Sequence, residues 1–209
     1  MQIAILLFER LTALDAVGPY EVLSRLPGAT VTFVAQDPGV KRTEKGSLAL
    51  TADAGLADVA APDVVLVPGG FGRKALMDDG PVHGWLRAAH ETSKWTTSVC
   101  TGSLILAAAG LLAGRRATTH WLAMEELGRL GVEPVSERVV FDGKIVTGAG
   151  VSAGIDMALA LAARIAGEQV AQAIQLSIEY DPQPPFDSGS PRTASPETVE
   201  LIRAHSRSV

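Results

Sequence analysis

The sequence has little cysteine, no long apolar run and fewer basic than acidic residues, and each of these excludes a class of protein. Cys100 is the only cysteine, so an intramolecular disulfide is impossible and a reducing, cytoplasmic compartment is expected. The longest apolar stretch, residues 104–114, is shorter than the roughly 20 residues that a membrane-spanning helix needs. The 18 basic and 23 acidic residues give a net charge of −5, which disfavours contact with phosphate backbones. We therefore expect neither a membrane nor a nucleic acid as a partner.

The two ends of the chain differ in composition. Residues 1–8 lack a basic start and a small-residue cleavage site, so they predict a first strand and not a signal peptide. Residues 181–209 contain five of the 12 prolines and predict an extended segment followed by a last helix at residues 195–207. A chain of 209 residues has the size of one domain, and we predict a single domain over residues 1–209.

Short strand-forming runs alternate with longer helical patterns along the chain. Strands are predicted at residues 3–8, 30–35, 63–67, 95–99 and 116–120, with a hairpin at 139–147. Helices are predicted at residues 15–26, 80–91, 101–112, 121–130, 152–166 and 168–180. Residues 37–61 are predicted to be mainly a charged loop with a short strand at 47–51. This alternation predicts a three-layer α/β sandwich, in which helices cover both faces of a mostly parallel sheet.

Cys100 lies where a predicted buried strand runs directly into a helix. In an open parallel sheet, binding sites form at the carboxyl ends of the strands, which is the position of Cys100. The free N–H groups and the positive dipole end of the next helix favour a thiolate, the nucleophilic form of cysteine. The small residues Thr101 and Gly102 allow the tight turn of a nucleophile elbow. Cys100 is therefore a candidate nucleophile, and the alternative, a small buried hydrophobic residue, stays open.

Two further strand ends carry candidate site residues. Gly69 and Gly70 follow the strand at 63–67. They form either an anion-binding nest that serves as an oxyanion hole, or a plain tight turn. Asp15 follows the first strand in an apolar context, where it is either a helix cap or a proton donor.

The remaining candidates for catalysis or cofactor binding are histidines and one glycine-rich segment. His120 ends the strand predicted at 116–120, where a structural role and a catalytic role both stay open. The other histidines are predicted on helix surfaces: His83, His90 and His205. No cluster has the spacing of metal ligands, so no metal is expected. Residues 147–153 match the loose dinucleotide pattern G-x-G-x-x-A, but no strand follows the next helix, so no dinucleotide cofactor is expected.

These segments together resemble the ThiJ/PfpI superfamily, whose fold is related to that of class I glutamine amidotransferases. The matching segments are Asp15, Pro68-Gly69-Gly70, Val99-Cys100-Thr101-Gly102, Ala117-Thr118-Thr119-His120-Trp121 and Gly150-Val151-Ser152-Ala153-Gly154-Ile155-Asp156. Residues 179–191 are similar to the C-terminal segment of isonitrile hydratases and of the ligand-sensing halves of AraC-type regulators. Thr101 stands where protease-like members have a histidine, so a peptidase is not expected. Asp15, as in isonitrile hydratases, stands where redox-protective members have a glutamate.

The resemblance implies a flavodoxin-like fold, a homodimer, a small-molecule substrate and no organic cofactor or metal. It also implies hydration of an isonitrile to an N-substituted formamide, in which the Cys100 thiolate forms a thioimidate and Asp15 delivers a proton. The backbone N–H groups of Gly69, Gly70 and Thr101 would stabilise negative charge, and the Thr101 hydroxyl would orient Asp15 or water. Candidates for the pocket lining, each of which could equally be core, are Phe71, His120, Trp121, Val151 and Ile155.

Two other kinds of function stay open on the sequence alone. An exposed thiol of low pKa on this scaffold also supports glyoxalase-like hydration or redox sensing through a sulfinic acid. A non-catalytic module, like the sensor half of an AraC-type regulator, would bind a ligand without chemistry. Such regulators carry a helix-turn-helix domain after this fold. Because this sequence has no basic helical extension of that kind, DNA binding by the chain alone is not expected.

Overall fold

The computed structural model describes residues 1–207. The contacts between residues divide the chain into two compact units, residues Met1–Ile178 and the segment that begins at Glu179. The first unit contains every described strand and six of the seven described α-helices. The two units are described separately.

The first unit alternates strands and helices along most of its length. The strands are β1 (Gln2–Leu6), β2 (Thr30–Ala35), β3 (Gly39–Arg42), β4 (Ala49–Ala52), β5 (Ala54–Gly55), β6 (Val64–Val67), β7 (Trp95–Val99), β8 (Arg116–Ala117), β9 (Glu133–Pro134), β10 (Val139–Asp142) and β11 (Ile145–Gly148). The helices are α1 (Ala13–Leu23), α2 (Pro81–Thr92), α3 (Gly102–Ala108), α4 (Met124–Arg129), α5 (Ala153–Ala166) and α6 (Glu168–Ser177). Short 3-10 helices occupy Leu56–Val59, Phe71–Leu76 and Trp121–Ala123.

Seven strands form the central sheet, in the order β10-β11-β7-β6-β1-β2-β5. All neighbouring strands in this sheet are parallel except β10 and β11, which form the predicted hairpin. Strand β6 consists of four buried aliphatic residues, as expected for a strand that is covered on both faces. Because β1, β6 and β7 are adjacent and parallel, the segments that follow them meet at one edge of the sheet.

Two groups of helices flank the sheet. Helix α1 packs against α5 and α5 against α6, whereas α2 packs against α3 and α3 against α4. The crossing of α1 and α5 is close because each helix has a glycine there. A Cβ built on Gly18 would lie 3.1 Å from Ile155 Cγ1, and one built on Gly154 would lie 3.1 Å from Pro19 Cγ. The predicted flavodoxin-like α/β fold with a mostly parallel sheet is confirmed.

The strand predicted at residues 116–120 is wrong in length and in place. Only Arg116–Ala117 forms a strand, and it pairs with Glu133–Pro134 outside the central sheet. His120 therefore ends no strand; it caps the 3-10 helix Trp121–Ala123, which occupies the start of the predicted helix at 121–130.

The segment predicted to be mainly a charged loop contains regular structure. Residues 39–52 form the antiparallel hairpin β3–β4, and β5 adds to the edge of the central sheet. In β3, half-buried and exposed residues alternate without a fully buried one. The apolar pattern on which a strand prediction depends is therefore weak in this segment.

The second unit contains one helix, α7 (Pro196–Arg207), close to the predicted bounds. The exposed large apolar side chains of the second unit are Phe186, in the segment before α7, and Leu201 and Ile202, in α7. Across residues 1–207, no helix is both long enough and apolar enough to cross a bilayer.

Candidate active site

Neighbouring strand ends bring together most of the residues that the sequence analysis singled out. Asp15 lies in the first turn of α1 after β1, Gly69–Gly70 follow β6, and Cys100 follows β7. Strand β11 pairs with β7, so the loop that contains Val151 reaches the same edge of the sheet. The candidate site is thus built from four adjacent strand ends, β11, β7, β6 and β1.

Cys100 occupies a sharp turn with a left-handed backbone, φ 56°, which is uncommon for a residue with a side chain. Its N–H donates to the carbonyls of Gly148, at 3.1 Å, and Ala149, at 2.9 Å. Its carbonyl accepts hydrogen bonds from the hydroxyls of Thr119, at 2.9 Å, and Ser103, at 3.3 Å. These four bonds hold the turn in a conformation that the backbone alone disfavours.

Two glycines let the loop after β6 approach the turn that carries Cys100. A Cβ on Gly102 would lie 2.1 Å from the carbonyl oxygen of Val67. A Cβ on Gly69 would lie 2.5 Å from both the nitrogen and Oγ1 of Thr101. Any other residue at either position would therefore force the two segments apart.

The carboxyl group of Asp15 is fully buried beside the sulfur of Cys100. Its Oδ2 accepts a hydrogen bond from Gly69 N–H at 2.9 Å, while Oδ1 has no hydrogen bond of ordinary geometry within residues 1–207. Burial disfavours the charged form and raises the pKa of Asp15 to about 7. Gly69 N–H and the Cys100 thiol lower this pKa, and repulsion from Glu44 raises it. At neutral pH, Asp15 is therefore able both to hold and to release a proton.

The surroundings of the Cys100 thiol favour its protonated form. Cys100 is 5% exposed. Burial, together with the Asp15 carboxylate, raises the pKa of its thiol to about 12. The backbone N–H groups of Val151 and Thr101 bond to the sulfur and lower this pKa by less. Desolvation of the sulfur thus acts against the dipole of the short helix α3, which by itself favours a thiolate. Attack by sulfur therefore needs a proton acceptor, and Asp15 is in place to be one.

The N–H groups of Gly69 and Gly70 are engaged within the protein. Gly69 N–H donates to Asp15, and Gly70 N–H donates to Thr101 Oγ1 at 3.0 Å. The Thr101 hydroxyl is thus held by the loop after β6, next to the carboxyl of Asp15. The role of Gly69 and Gly70 as oxyanion donors stays a prediction.

Val151 contributes a backbone group that the sequence analysis missed. The sequence suggested its side chain as a pocket lining, whereas the structure directs its N–H to the sulfur of Cys100. Its φ of 28° is a rare value for a β-branched residue. Neither a positive φ at valine nor the direction of an N–H has a signal in the amino-acid pattern, so sequence analysis had no means of finding this donor.

His120 and Trp121 lie half-buried on the Val151 side of the site. A Cβ on Gly150 would lie 2.7 Å from His120 Cδ2, so the imidazole packs on the backbone next to Val151. Burial lowers the pKa of His120, and its Nδ1 accepts a hydrogen bond from Leu122 N–H at 3.3 Å. The neutral imidazole therefore carries its proton on Nε2. The indole of Trp121 lies 6.0 Å from this ring between centroids.

Phe71 and Ile155, the other suggested pocket residues, lie in different surroundings. Phe71 follows Gly70, and the Arg10 guanidinium lies 6.0 Å from its ring centroid. Ile155 packs on Gly18 at the crossing of α1 and α5. Gly18 lies about one turn of α1 after Asp15. Both side chains are half-buried.

The prediction that the other histidines lie on helix surfaces holds for one of three. His205 is exposed, but His83 is 1% exposed and His90 is half-buried, with Nδ1 at 2.8 Å from Thr96 Oγ1. Both rings lie on α2. Within the described residues, no group of three His, Cys, Asp or Glu side chains could hold a metal ion.

A cysteine at a strand-to-helix elbow beside a buried acid, on a flavodoxin-like fold, defines a class of protein. The chain belongs to the DJ-1/PfpI family, whose model matches residues 1–164. The resemblance stated from the sequence is thereby confirmed. Within this family, the chain is similar to the isonitrile hydratase of Pseudomonas putida, with 47% identity over 203 residues, 97% of this chain and 89% of that protein.

Two further comparisons support the family and widen the range of its functions. A crystal structure of a ThiJ/PfpI family protein from Pseudomonas syringae superposes with a TM-score of 0.94 at 37% identity, covering 99% of this chain and 86% of that one. The HTH-type transcriptional regulator CdhR of Pseudomonas aeruginosa is 32% identical over 172 residues, which are 79% of this chain and 49% of the regulator. The chain is thus similar to an enzyme over nearly its whole length and to about half of a regulator.

Proposed function

We propose that this protein is a cysteine-dependent isonitrile hydratase that converts small isonitriles to N-substituted formamides in the cytoplasm. The observation that carries the proposal is the 47% identity to an isonitrile hydratase over 97% of the chain. The pairing of Cys100 with a buried acid whose pKa is about 7 supports it, because the reaction needs a nucleophile and a proton carrier.

In the first half of the reaction, Asp15 takes the proton of the Cys100 thiol while the sulfur attacks the terminal carbon of the isonitrile. A sulfur–carbon bond forms, and the electron pair left on that carbon is protonated by the Asp15 carboxyl. The product is a thioimidate, Cys100–S–CH=N–R, and Asp15 is again a carboxylate. The N–H groups of Thr101 and Val151 stabilise the negative charge on the sulfur as the proton leaves it.

In the second half, water is added to the thioimidate carbon and the sulfur leaves. Asp15 accepts one proton of the water as the water oxygen bonds to the carbon, and passes this proton to the nitrogen. The carbon–sulfur bond then breaks, the remaining hydroxyl proton passes through Asp15 to the sulfur, and the formamide R–NH–CHO is released with the thiol and the Asp15 carboxylate restored. One isonitrile and one water are consumed for each formamide, and no electron transfer is involved.

A ligand-sensing role is the second candidate, and the likeness to CdhR is the observation that favours it. In that case the buried site would bind a small molecule without turnover. The protonated thiol of Cys100 is compatible with such a role, because a sensor needs no nucleophile. The two functions differ in whether a bound isonitrile is released as formamide.

The test is chromatographic detection of N-formamide from several alkyl and aryl isonitriles. We expect formamide from the wild type, none above background from Cys100→Ala, and turnover lowered roughly 10²–10⁴-fold by Asp15→Asn. Asp53→Asn is the matched control, since it replaces an exposed carboxyl on the same unit and should leave turnover unchanged. Binding of isonitriles without formamide in the wild type would reject the hydratase in favour of the sensor.

A further inference from the structure

The charged hairpin β3–β4 is attached to the segment that leads into the candidate site. Glu44, in the turn of this hairpin, donates its N–H to the carbonyl of Leu11 at 3.0 Å. Arg10 N–H donates to the carbonyl of Arg42 at 2.7 Å, and Leu11 forms a parallel bridge with Thr43. The turn of the hairpin therefore lies along the backbone that connects β1 to α1.

The side chain of Glu44 binds Thr12, the residue that precedes α1. Thr12 Oγ1 donates to Glu44 Oε2 at 3.1 Å. A threonine in this position usually caps its own helix, but the Thr12 side chain makes no such bond. Thr12 N–H donates to the Gly69 carbonyl at 2.9 Å, and Gly69 N–H donates to Asp15 Oδ2 at 2.9 Å. Glu44 is thus connected to the carboxyl of Asp15 through Thr12 and Gly69.

The negative charge of Glu44 acts on one member of the Asp15–Cys100 pair. The titratable groups that act on the Asp15 carboxyl are Cys100, from the turn after β7, and Glu44, from the hairpin. The charged group that acts on the Cys100 thiol is Asp15. When the pair holds a single proton, that proton is on either Asp15 or the sulfur. Repulsion by Glu44 favours the state with a neutral Asp15 and a thiolate.

We propose that Glu44 is a positioning residue of the candidate site, which holds Thr12 against the Gly69 turn and directs the proton shared by Asp15 and Cys100 toward Asp15. The inference rests on the proposed function for its meaning in turnover, because a proton on Asp15 leaves the sulfur as the attacking thiolate. Its effect on the thiol itself is independent of any substrate.

The experiment measures the rate constant for alkylation of Cys100 by iodoacetamide as a function of pH. Cys100 is the only cysteine, so no other thiol contributes. Glu44→Gln keeps an oxygen that can accept the Thr12 hydroxyl but removes the charge. In a plot of the rate constant against pH, we expect the rising limb to move to lower pH by roughly half a unit to one unit. The plateau of the rate constant above this limb should fall roughly threefold to tenfold. At pH values below this rise, the rate constants of wild type and variant should coincide. Removal of the charge makes Asp15 lose its proton more readily but makes the thiolate state less favourable, and the two effects cancel there.

Two variants separate the charge of Glu44 from structural disturbance. Thr12→Val removes the hydrogen bond and keeps the charge, so it should change the plateau without moving the limb. Glu9→Gln is the matched control: Glu9 Oε2 accepts a hydrogen bond from Arg42 N–H of the same hairpin, at 3.1 Å, but lies outside the path to Asp15. It should leave both features unchanged. Thermal unfolding checks that each variant keeps the wild-type fold.

The outcomes distinguish this inference from the proposed function. If Glu44→Gln leaves the limb in place, or if Glu9→Gln moves it as far, Glu44 does not direct the shared proton. If Glu44→Gln alone moves the limb while the wild type makes no formamide, the role of Glu44 stands and the hydratase is rejected. If both hold, the pH profile of formamide production should shift with that of alkylation.

Discussion

The ionisable carboxyl of Asp15 is fully buried in the fold. It accepts one hydrogen bond of ordinary geometry, from Gly69 N–H. The charged form loses the hydration that it has in the unfolded chain, and the pKa therefore rises from 3.8 to about 7. At neutral pH the protein thus keeps a group that lowers its stability. Natural sequences retain such groups where activity needs them, which agrees with a proton-transfer role for Asp15.

Replacing Asp15 with Asn should stabilise the protein at pH 8 and have little effect at pH 4. In the wild type, stabilisation by the protonated carboxyl is complete below the unfolded pKa of 3.8 and is lost as the pH rises through about 7. Since Asn has no charged form, the difference in unfolding free energy should grow over this range by roughly 1–4 kcal/mol. Urea unfolding at several pH values measures it. A difference that is constant with pH would contradict the prediction.

The pH dependence of Cys100 alkylation should show which residue takes the proton of the thiol. In the wild type, the rate should rise through pH about 7, where Asp15 loses its proton and becomes able to accept that of the thiol. In Asp15→Asn, this limb should be absent, and the rate should keep rising into the alkaline range because burial raises the pKa of Cys100. A limb near neutral pH that persists in Asp15→Asn would mean that another group controls the thiol.

At the scale of elements, the site depends on how closely α3 approaches the end of β6. Gly102 begins α3, and a Cβ there would lie 2.1 Å from Val67 O and 2.8 Å from Pro68 O. Both neighbours are backbone atoms, which cannot rotate away as a flexible side chain can. The start of the helix, and with it the Cys100 turn, would have to move.

Gly102→Ala should therefore destabilise the protein by roughly 1–3 kcal/mol and change the alkylation rate of Cys100. Gly84→Ala is the matched control, because Gly84 lies in α2 with no atom within 4 Å of a built Cβ. A glycine inside an exposed stretch of helix costs about 0.5–1 kcal/mol relative to alanine, so this control should gain stability. Chemical unfolding compares the two variants. Equal effects of both substitutions would show that the approach of α3 to β6 is not constrained.

At the scale of the whole molecule, the buried apolar core belongs to the first unit. All buried hydrophobic side chains among the described residues lie between Ile3 and Ile174. In the second unit, Phe186 is 78% exposed and Leu201 is 69% exposed. The stability of the first unit should thus depend little on the residues that follow Ile178.

A chain that ends at Ile178 should unfold cooperatively, with a free energy within about 1 kcal/mol of that of the full chain. A chain that ends at Gly167 is the control: it removes α6 with the buried residues Ala171 and Ile174, and it should be clearly less stable. Urea unfolding of the three chains measures the difference. A large loss on removal of residues 179–209 would contradict the prediction.

A homodimer stays a prediction, which sedimentation of the full chain would check against twice its 21.8 kDa.

The order of strands and helices and the candidate positions of chemistry could be predicted from the sequence because both depend on local signals. Apolar runs and helical spacing defined β1, β6, β7 and the helices between them, and parallel strands place their carboxyl ends together. The expectation that Asp15 acts together with Cys100 came from the resemblance to the ThiJ/PfpI superfamily. In the hairpin at residues 39–52, the strand predicted at 47–51 corresponds to β4, whereas β3 was missed. The backbone of this hairpin bonds to residues 10–11, far away in the chain, and no local pattern contains such contacts.

The amino-acid pattern alone shows which groups are available for chemistry, whereas their protonation and their partners depend on how distant segments assemble. The helix dipole inferred from the local pattern favours a thiolate at Cys100, whereas burial raises the pKa of this thiol to about 12. Burial is the sum of atoms from many distant segments, so no local pattern contains it. The N–H of Val151 at the sulfur and the charge of Glu44 beside Asp15 have the same origin, since each reaches the site only after the sheet and its loops have assembled.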